Sequence, residues 1–416
     1  MRETKFTVLK ALAIILVVFS HAGVPGWLNH FLFIFHVPAF FLCAGYFFHT
    51  KYVTDERTFL VHRIKGLYWP FVRWSVFFLV VHNLLFHLGI LSETYGAADG
   101  GVLHPYSWSQ FGQHLWSIVV NMSGYNAFLG GTFWFFRALF LASLAYLVLF
   151  KLFGKSERLQ GDRQRGWAVL LFTSVLLVWK ESCGLKLTGI SGGGYRELMG
   201  LWFMAVGFLL RQYDVCAKLT WKLALPSLLV FLAFGIWWPS LMEINPSMER
   251  FLRLPLPAVA SFLCMLYAST FIDSKTRYVK QVLIYIGDRT LYIFAFHLLA
   301  FKLVSAVKVA WYGLPWEAIG GHPFVQQPAN NALFVLLYAV AGVSLPLLWL
   351  AGYRHVSSHV TITEKQCISL CVLGSQRLCH WAYIALRTLW LVIKGCWRST
   401  KEGVKAIIEA SSTKEE

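Results

Sequence analysis

The sequence predicts an all-α polytopic membrane protein with about ten transmembrane helices and both termini in the cytoplasm. Three observations predict it. The 416 residues are 57% hydrophobic and only 14% charged, whereas an average soluble domain carries about 25% charged residues. The apolar residues gather in runs long enough, or nearly long enough, to cross a bilayer. The net charge of +17 is concentrated in alternate connections between those runs, which is the pattern of positive cytoplasmic loops. A nucleic-acid binder shows its basic residues as one stripe or patch, so membrane lipid and not nucleic acid is the expected polyanionic surface.

The apolar runs cover residues 6–21, 27–48, 67–91, 132–153, 166–180, 197–212, 221–238, 254–272, 287–309 and 331–353. Arg2 and Lys5 precede the first. Lys51, Arg57, Arg63 and Lys65 separate the second from the third, and Lys151, Lys155, Arg158, Arg163 and Arg165 separate the fourth from the fifth. Arg211, Lys218 and Lys222 follow the sixth, and Lys275, Arg277 and Lys280 follow the eighth. With ten spans all of these lie on one side, which the positive-inside rule assigns to the cytoplasm. The opposite stretches 92–131 and 312–330 hold no Lys or Arg; Lys180, Lys186, Arg196, Arg250 and Arg253 are the exceptions on that side.

The first run, with its basic start, has the form of a signal peptide. No small-residue cleavage site precedes the second run, so it is read as the first helix. The eight cysteines form no Cys-x-x-Cys pair and join no histidine at zinc-ligand spacing, so no metal is expected. The long outward stretch 92–131 is rich in His, Tyr, Trp, Asn and Gly, which suits either sugar contact or the headgroup interface. His82, His87, His104 and His114 are read as solvated or interfacial.

Residues 1–355 form the membrane domain in this reading, and 356–416 a basic amphipathic cytoplasmic tail. Trp381, Leu386, Leu389 and Trp390 alternate there with Arg377, Arg387, Lys394 and Arg398. Such a segment is too short and too charged to span and lies along the anionic leaflet.

The first helix carries Lys10 and His21, eleven positions apart. At about 3.6 residues per turn they project from one face, about 16 Å apart along the axis. An extended pantetheine arm has a similar reach, so a cation at one end would hold the phosphate part of coenzyme A while the histidine meets the thioester. The alternative is that Lys10 snorkels to the interface and His21 caps the helix. The second run reads Phe35-His36-Val37-Pro38-Ala39-Phe40-Phe41 and ends Gly45-Tyr46. Proline bends the helix and glycine permits close approach, which fits a packing seam with one hydrogen-bonded histidine as well as a site.

The Lys-x10-His spacing resembles the Arg/Lys-x10-His signature of the acyltransferase-3 family. The His36-x-Pro38-x-Phe40-Phe41…Gly45-Tyr46 run is similar to that family's second-helix motif, with Ala44 where Ser often stands. His62-Arg63-Ile64-Lys65-Gly66…Pro70 resembles its basic segment, with Gly66 in place of the second arginine of Arg-x-x-Arg. Phe133-Trp134-Phe135-Phe136-Arg137 and Gly287-Asp288-Arg289…His297 resemble two later helix starts. The likeness runs over about residues 6–355 and is nearest to the fucose 4-O-acetyltransferase-like branch.

The resemblance implies an acyl-CoA-dependent O-acyltransferase of a bacterial inner membrane. Its donor would be acetyl-CoA, and its acceptor a hydroxyl of a cell-surface, secreted or lipid-linked sugar. His21 is then general base or nucleophile. Lys10, Arg63 and Lys65 attract the donor's phosphates, with Arg73 as a further anion ligand. Arg137 binds a diphosphate or oxyanion, or forms a structural ion pair. Trp134, His36 and His297 are further substrate-side positions, the two histidines either lining the cavity or bonding between helices. The rival reading is a transporter or flippase for an anionic or lipid-linked sugar. Its usual marks, inverted repeats and paired broken helices, are not found in the sequence.

Overall fold

The computed structural model describes residues 3–97, 101–188, 190–242 and 248–371. Among them there are fourteen α-helices and no strand, one isolated bridge between Ala97 and His322 aside. In order they are α1 (Thr4–Ser20), α2 (Gly26–Tyr46), α3 (Glu56–Arg63), α4 (Trp69–His87), α5 (Trp108–Asn121), α6 (Trp134–Phe153) and α7 (Asp162–Cys183). Then come α8 (Tyr195–Gln212), α9 (Trp221–Trp237), α10 (Met248–Arg253), α11 (Pro255–Lys275), α12 (Tyr278–Gly287), α13 (Thr290–Tyr312) and α14 (Ala332–Cys371). The chain divides into two compact units, Met1–Leu348 and Trp349–Glu416.

Each of the ten apolar runs falls on one helix. Seven helical stretches among the described residues are long and apolar enough to cross a membrane: α2, Glu56–His87, α6, α7, Phe251–Lys275, α13 and Ala332–His355. The other three runs fall short for different reasons. Helix α9 has 17 residues, and α8 carries Arg196, Glu197 and Arg211. Helix α1 also has only 17 residues, but none of them is exposed, because α2, α11, α12 and α13 sheathe it. A helix apolar on every side is a core helix, and α1 is the post around which those four pack.

Helices α2 and α8 touch backbone to backbone. A Cβ on Gly45 would collide with Met204 O, and one on Gly207 with Leu42 O, so glycine is required at both for this approach. Pro38 lies inside α2 and removes one i→i−4 bond there. Pro70 does the same one turn into the next span. It has no N–H for the carbonyl of Gly66, and the chain from α3 to α4 passes through a π-helical turn at Ile64–Tyr68. The basic segment expected as a loop before the third span is therefore helical, continuous from Glu56 to His87.

The stretch 92–131, expected as a long loop, contains a helix. Its Ser107–Gln110 capping box starts α5, which runs antiparallel along α4. Asn83 brackets Tyr106 with two 2.8 Å bonds at one end, and Tyr68 Oη donates to Val119 O (2.7 Å) at the other. Asn83 and Tyr68 lie about 22 Å apart along the continuous helix axis. His82, read from sequence as solvated, is fully buried. Its Nε2–H donates to His104 O (2.9 Å), its Nδ1 accepts from Asn126 Nδ2 (2.7 Å), and its ring stacks on Tyr106 at 3.6 Å. His114 is likewise engaged, donating from Nδ1 to Gly124 O. His82 is therefore not solvated, because α5 folds back on α4 and covers its ring, and His114 is half-buried, whereas His87 and His104 are exposed. Asn126 Oδ1 then accepts from the amides of Phe128 and Leu129, which sets the entry to α6.

Helix α14 continues without a break beyond the tenth run to Cys371. The amphipathic pattern expected around Trp381–Arg398 lies outside the described residues.

Candidate active site

A cavity of about 670 Å³ lies between α1, α2, α6 and α13. Helix α1 contributes Lys10, Ile14, Val17 and His21, spaced by four, three and four residues as one helical face must be. Helix α2 runs antiparallel and sets His36 near the His21 end and Ala44 and Phe47 near the Lys10 end. Gly131, Thr132, Trp134 and Phe135 close one side at the start of α6, with Arg63 and Leu67 below and Arg196 and Met242 above. The wall is mostly apolar with a few placed polar groups, as ligand cavities are. Among the described residues that line it are three cations, Lys10, Arg63 and Arg196, and no carboxylate.

Three buried or half-buried histidines share one device. His21 Nδ1 lies 2.8 Å from Val17 O, His36 Nδ1 2.5 Å from Leu32 O, and His297 Nδ1 2.9 Å from Phe294 O. A carbonyl only accepts, so each neutral ring carries its proton on Nδ1 and keeps a lone pair on Nε2. In His21 that lone pair belongs to a ring on the cavity wall. His297 stands behind it, ring centroids 5.3 Å apart, with its own Nε2 buried and unpartnered.

Five of the sequence-predicted residues come together on this wall: Lys10, His21, His36, Arg63 and Trp134. The other four do not. Lys65 is exposed on the π-helical turn, and Arg73 is exposed on α4 with its guanidinium over Trp74. Arg137 faces α8, where its Nε donates to Glu197 Oε1 at 2.8 Å in an ion pair whose side chains are 5% and 6% exposed. His297 is fully buried and reaches the cavity only through His21. Helix rotation decides all four, and spacing within a single helix does not reveal it.

The family model of the acyltransferase domain matches residues 4–351. The chain belongs to the acyltransferase-3 family. No curated protein and no solved structure matches it. The cavity wall thus sets His21 at one end of a largely apolar space and Lys10 at the other.

Sequence reasoning passed over several residues of this acyltransferase. Arg196, noted only as an exception to the loop-charge pattern, lies 4.0 Å over the Trp134 ring and donates from Nε to Met242 O. Lys302 and Lys308 are buried on α13 with carbonyl partners. Lys302 Nζ donates to Ile319 O and Gly321 O (2.9 and 2.8 Å), and Lys308 Nζ to Val325 O, Pro328 O and Asn330 Oδ1. Asn330 Nδ2 in turn donates to Ala22 O, next to His21. The two lysines thus tie the 313–331 connection across the end of α1. Their signal was available, since a cation inside an apolar span demands a reason. Burial pushes His322 on that connection down to about 3, with Lys302 and His21 adding to it, so its ring is neutral. Among the described residues no three His, Cys, Asp or Glu side chains gather as a metal site.

Proposed function

We propose that this acyltransferase moves an acetyl or other short acyl group from acyl-CoA to a hydroxyl of a glycan or lipid-linked sugar, with His21 at the reacting centre. The observation that carries the reading is the cavity itself, which runs from Lys10 to His21 along one face of α1. The ammonium holds the donor near its phosphates, and the pantetheine arm spans about 16 Å to bring the thioester to the histidine. His21 Nε2 takes the proton of the sugar hydroxyl as its oxygen attacks the thioester carbon. The C–S bond breaks and the proton passes to the departing thiolate, leaving an ester and coenzyme A. In the two-step version the same Nε2 lone pair first attacks the carbonyl, the C–S bond breaks and coenzyme A leaves as its thiolate. The sugar hydroxyl then takes the acyl group from the resulting acyl-imidazolium and gives its proton to the thiolate.

The donor enters from the cytoplasm in this reading, because the Lys10 end lies on the side of the basic connections. Ten spans, both termini cytoplasmic, a catalytic domain of residues 1–355 and a membrane-surface tail of 356–416 complete the proposal for a bacterial inner membrane. Purified protein in nanodiscs with radiolabelled acetyl-CoA and a panel of sugar acceptors tests it. Wild type should release coenzyme A and label an acceptor, and His21→Ala should do neither. Equal turnover by both proteins would remove His21 from the reaction, and no turnover by either would remove acetyl-CoA as donor.

A further inference from the structure

A second hollow, of about 300 Å³, opens at the N-terminal end of α1. Lys10 and Phe47 line both this hollow and the main cavity, so the two spaces are neighbours across those side chains. We propose that this hollow seats the phosphate-bearing nucleotide end of the donor, with Arg211 and His49 as its phosphate ligands and Lys10 at the junction. The inference rests on acyl-CoA being the donor.

Four observations carry it. With the thioester at His21, the pantetheine arm is used up by the time it reaches Lys10, and what is attached beyond must occupy the space beyond Lys10. The basic segment expected to receive it supplies only Arg63 to the cavity wall, because Lys65 points away. A second strong cation comes instead from the end of α8.

Arg211 is held in place. Its Nη1 donates to Tyr46 O at 3.3 Å and lies 3.4 Å from His49 Nδ1. A guanidinium only donates, so His49 Nδ1 accepts and its Nε2 carries the hydrogen. Burial, with Arg211 and then Lys51 beside it, lowers the His49 pKa, so the ring offers a neutral N–H. A phosphate oxygen in the hollow would thus meet a guanidinium, an imidazole N–H and an ammonium.

Among the described residues lining the hollow the single carboxylate, Glu3, lies 3.3 Å from Lys5 Nζ, and Lys10 and Arg211 are the lining cations. Aromatic rings flank them. Phe6 packs on Tyr46 at 4.4 Å and on Phe47 at 5.0 Å. Phe47 is 40% exposed, an aromatic face at the mouth on which a purine can stack.

The test compares acyl-CoA with acyl-pantetheine, which has the same thioester and lacks the nucleotide. Kinetics are measured on the full chain in nanodiscs for wild type, Arg211→Ala, Arg211→Lys and His49→Gln. Wild type should favour acyl-CoA in kcat/KM. In Arg211→Ala that preference should fall at least tenfold, through KM for acyl-CoA, with Arg211→Lys restoring part of it. His49→Gln should lower the preference less, since the amide still donates. Adenosine 3′,5′-bisphosphate should compete with acyl-CoA in wild type and lose at least tenfold in potency against Arg211→Ala. If Arg211→Ala slows both donors in proportion, or neither, the nucleotide does not sit here and the inference fails. A wild type that turns over neither thioester overturns the donor assignment itself, a result distinct from the other two.

Discussion

His21 and Arg137 are both ionisable groups within the membrane domain, and the structure places them differently: His21 lines the cavity, whereas Arg137 pairs with Glu197. Removing one partner of that pair leaves the other charge buried without it. Such a change costs about 3–5 kcal/mol, whereas replacing both partners with apolar groups of similar volume is near neutral. Arg137→Ala should therefore lower the thermal midpoint in detergent sharply, and Arg137→Met with Glu197→Leu should recover most of the loss. A double variant as unstable as the single one would rule out the ion-pair account. His322 makes a pH prediction. Its folded pKa of about 3 lies below the ordinary value of about 6.5, so below that value the unfolded chain binds a proton that the folded chain refuses. Stability is complete above about pH 6.5 and is lost progressively as pH falls toward 3. Unfolding followed by intrinsic fluorescence between pH 7 and 4 should show this slope, and His322→Phe should flatten it.

At the scale of elements, the 313–331 connection is held by side chains of α13. Lys302 satisfies the carbonyls of Ile319 and Gly321, and both are left bare in Lys302→Met. A buried polar group without a partner costs about 1–3 kcal/mol, enough to loosen the segment without unfolding the bundle. Hydrogen exchange across 313–331 should rise in that variant while α2 and α8 stay protected; an unchanged pattern would show that the lysine does not anchor it. The α2–α8 contact makes a complementary prediction. Gly207→Leu would force the two backbones apart at Leu42 O, and overpacking of this kind costs about 1–3 kcal/mol. His36 and Arg196, which sit on those two helices at the cavity, would shift with them, so acyl transfer should fall further than stability does.

For the whole molecule, the alternation of basic and uncharged connections makes a prediction about sidedness. Lys155→Cys, between α6 and α7, should react with a membrane-impermeant thiol reagent only from the cytoplasmic face of right-side-out and inverted vesicles. Glu317→Cys, between α13 and α14, should react only from the other face. Labelling of both from one side would overturn the ten-span topology. Helix α1 belongs to this scale as well. Too short to qualify as a span by itself, it is covered on every side by four other helices, so the Lys10–His21 face is presented to an internal space and not to lipid.

The helical membrane character, the positions of the apolar runs and the family were legible in the sequence, because composition and motif order are properties of consecutive residues. The common face of Lys10 and His21 was legible too, since a period of about 3.6 is local geometry. What the tertiary structure decided was the direction in which each polar side chain looks. Arg137 turns to Glu197, Arg73 turns outward, and Lys65 leaves the wall at a π-helical turn that Pro70 imposes from five residues on. Arg196 and Arg211, read in the sequence only as charges flanking an apolar run, line the two hollows. Likewise α5 folds back on α4 and buries His82. These outcomes depend on how helices distant in sequence rotate against one another, which is set by close packing at places such as Gly45 and Gly207 and not by any pattern within one segment.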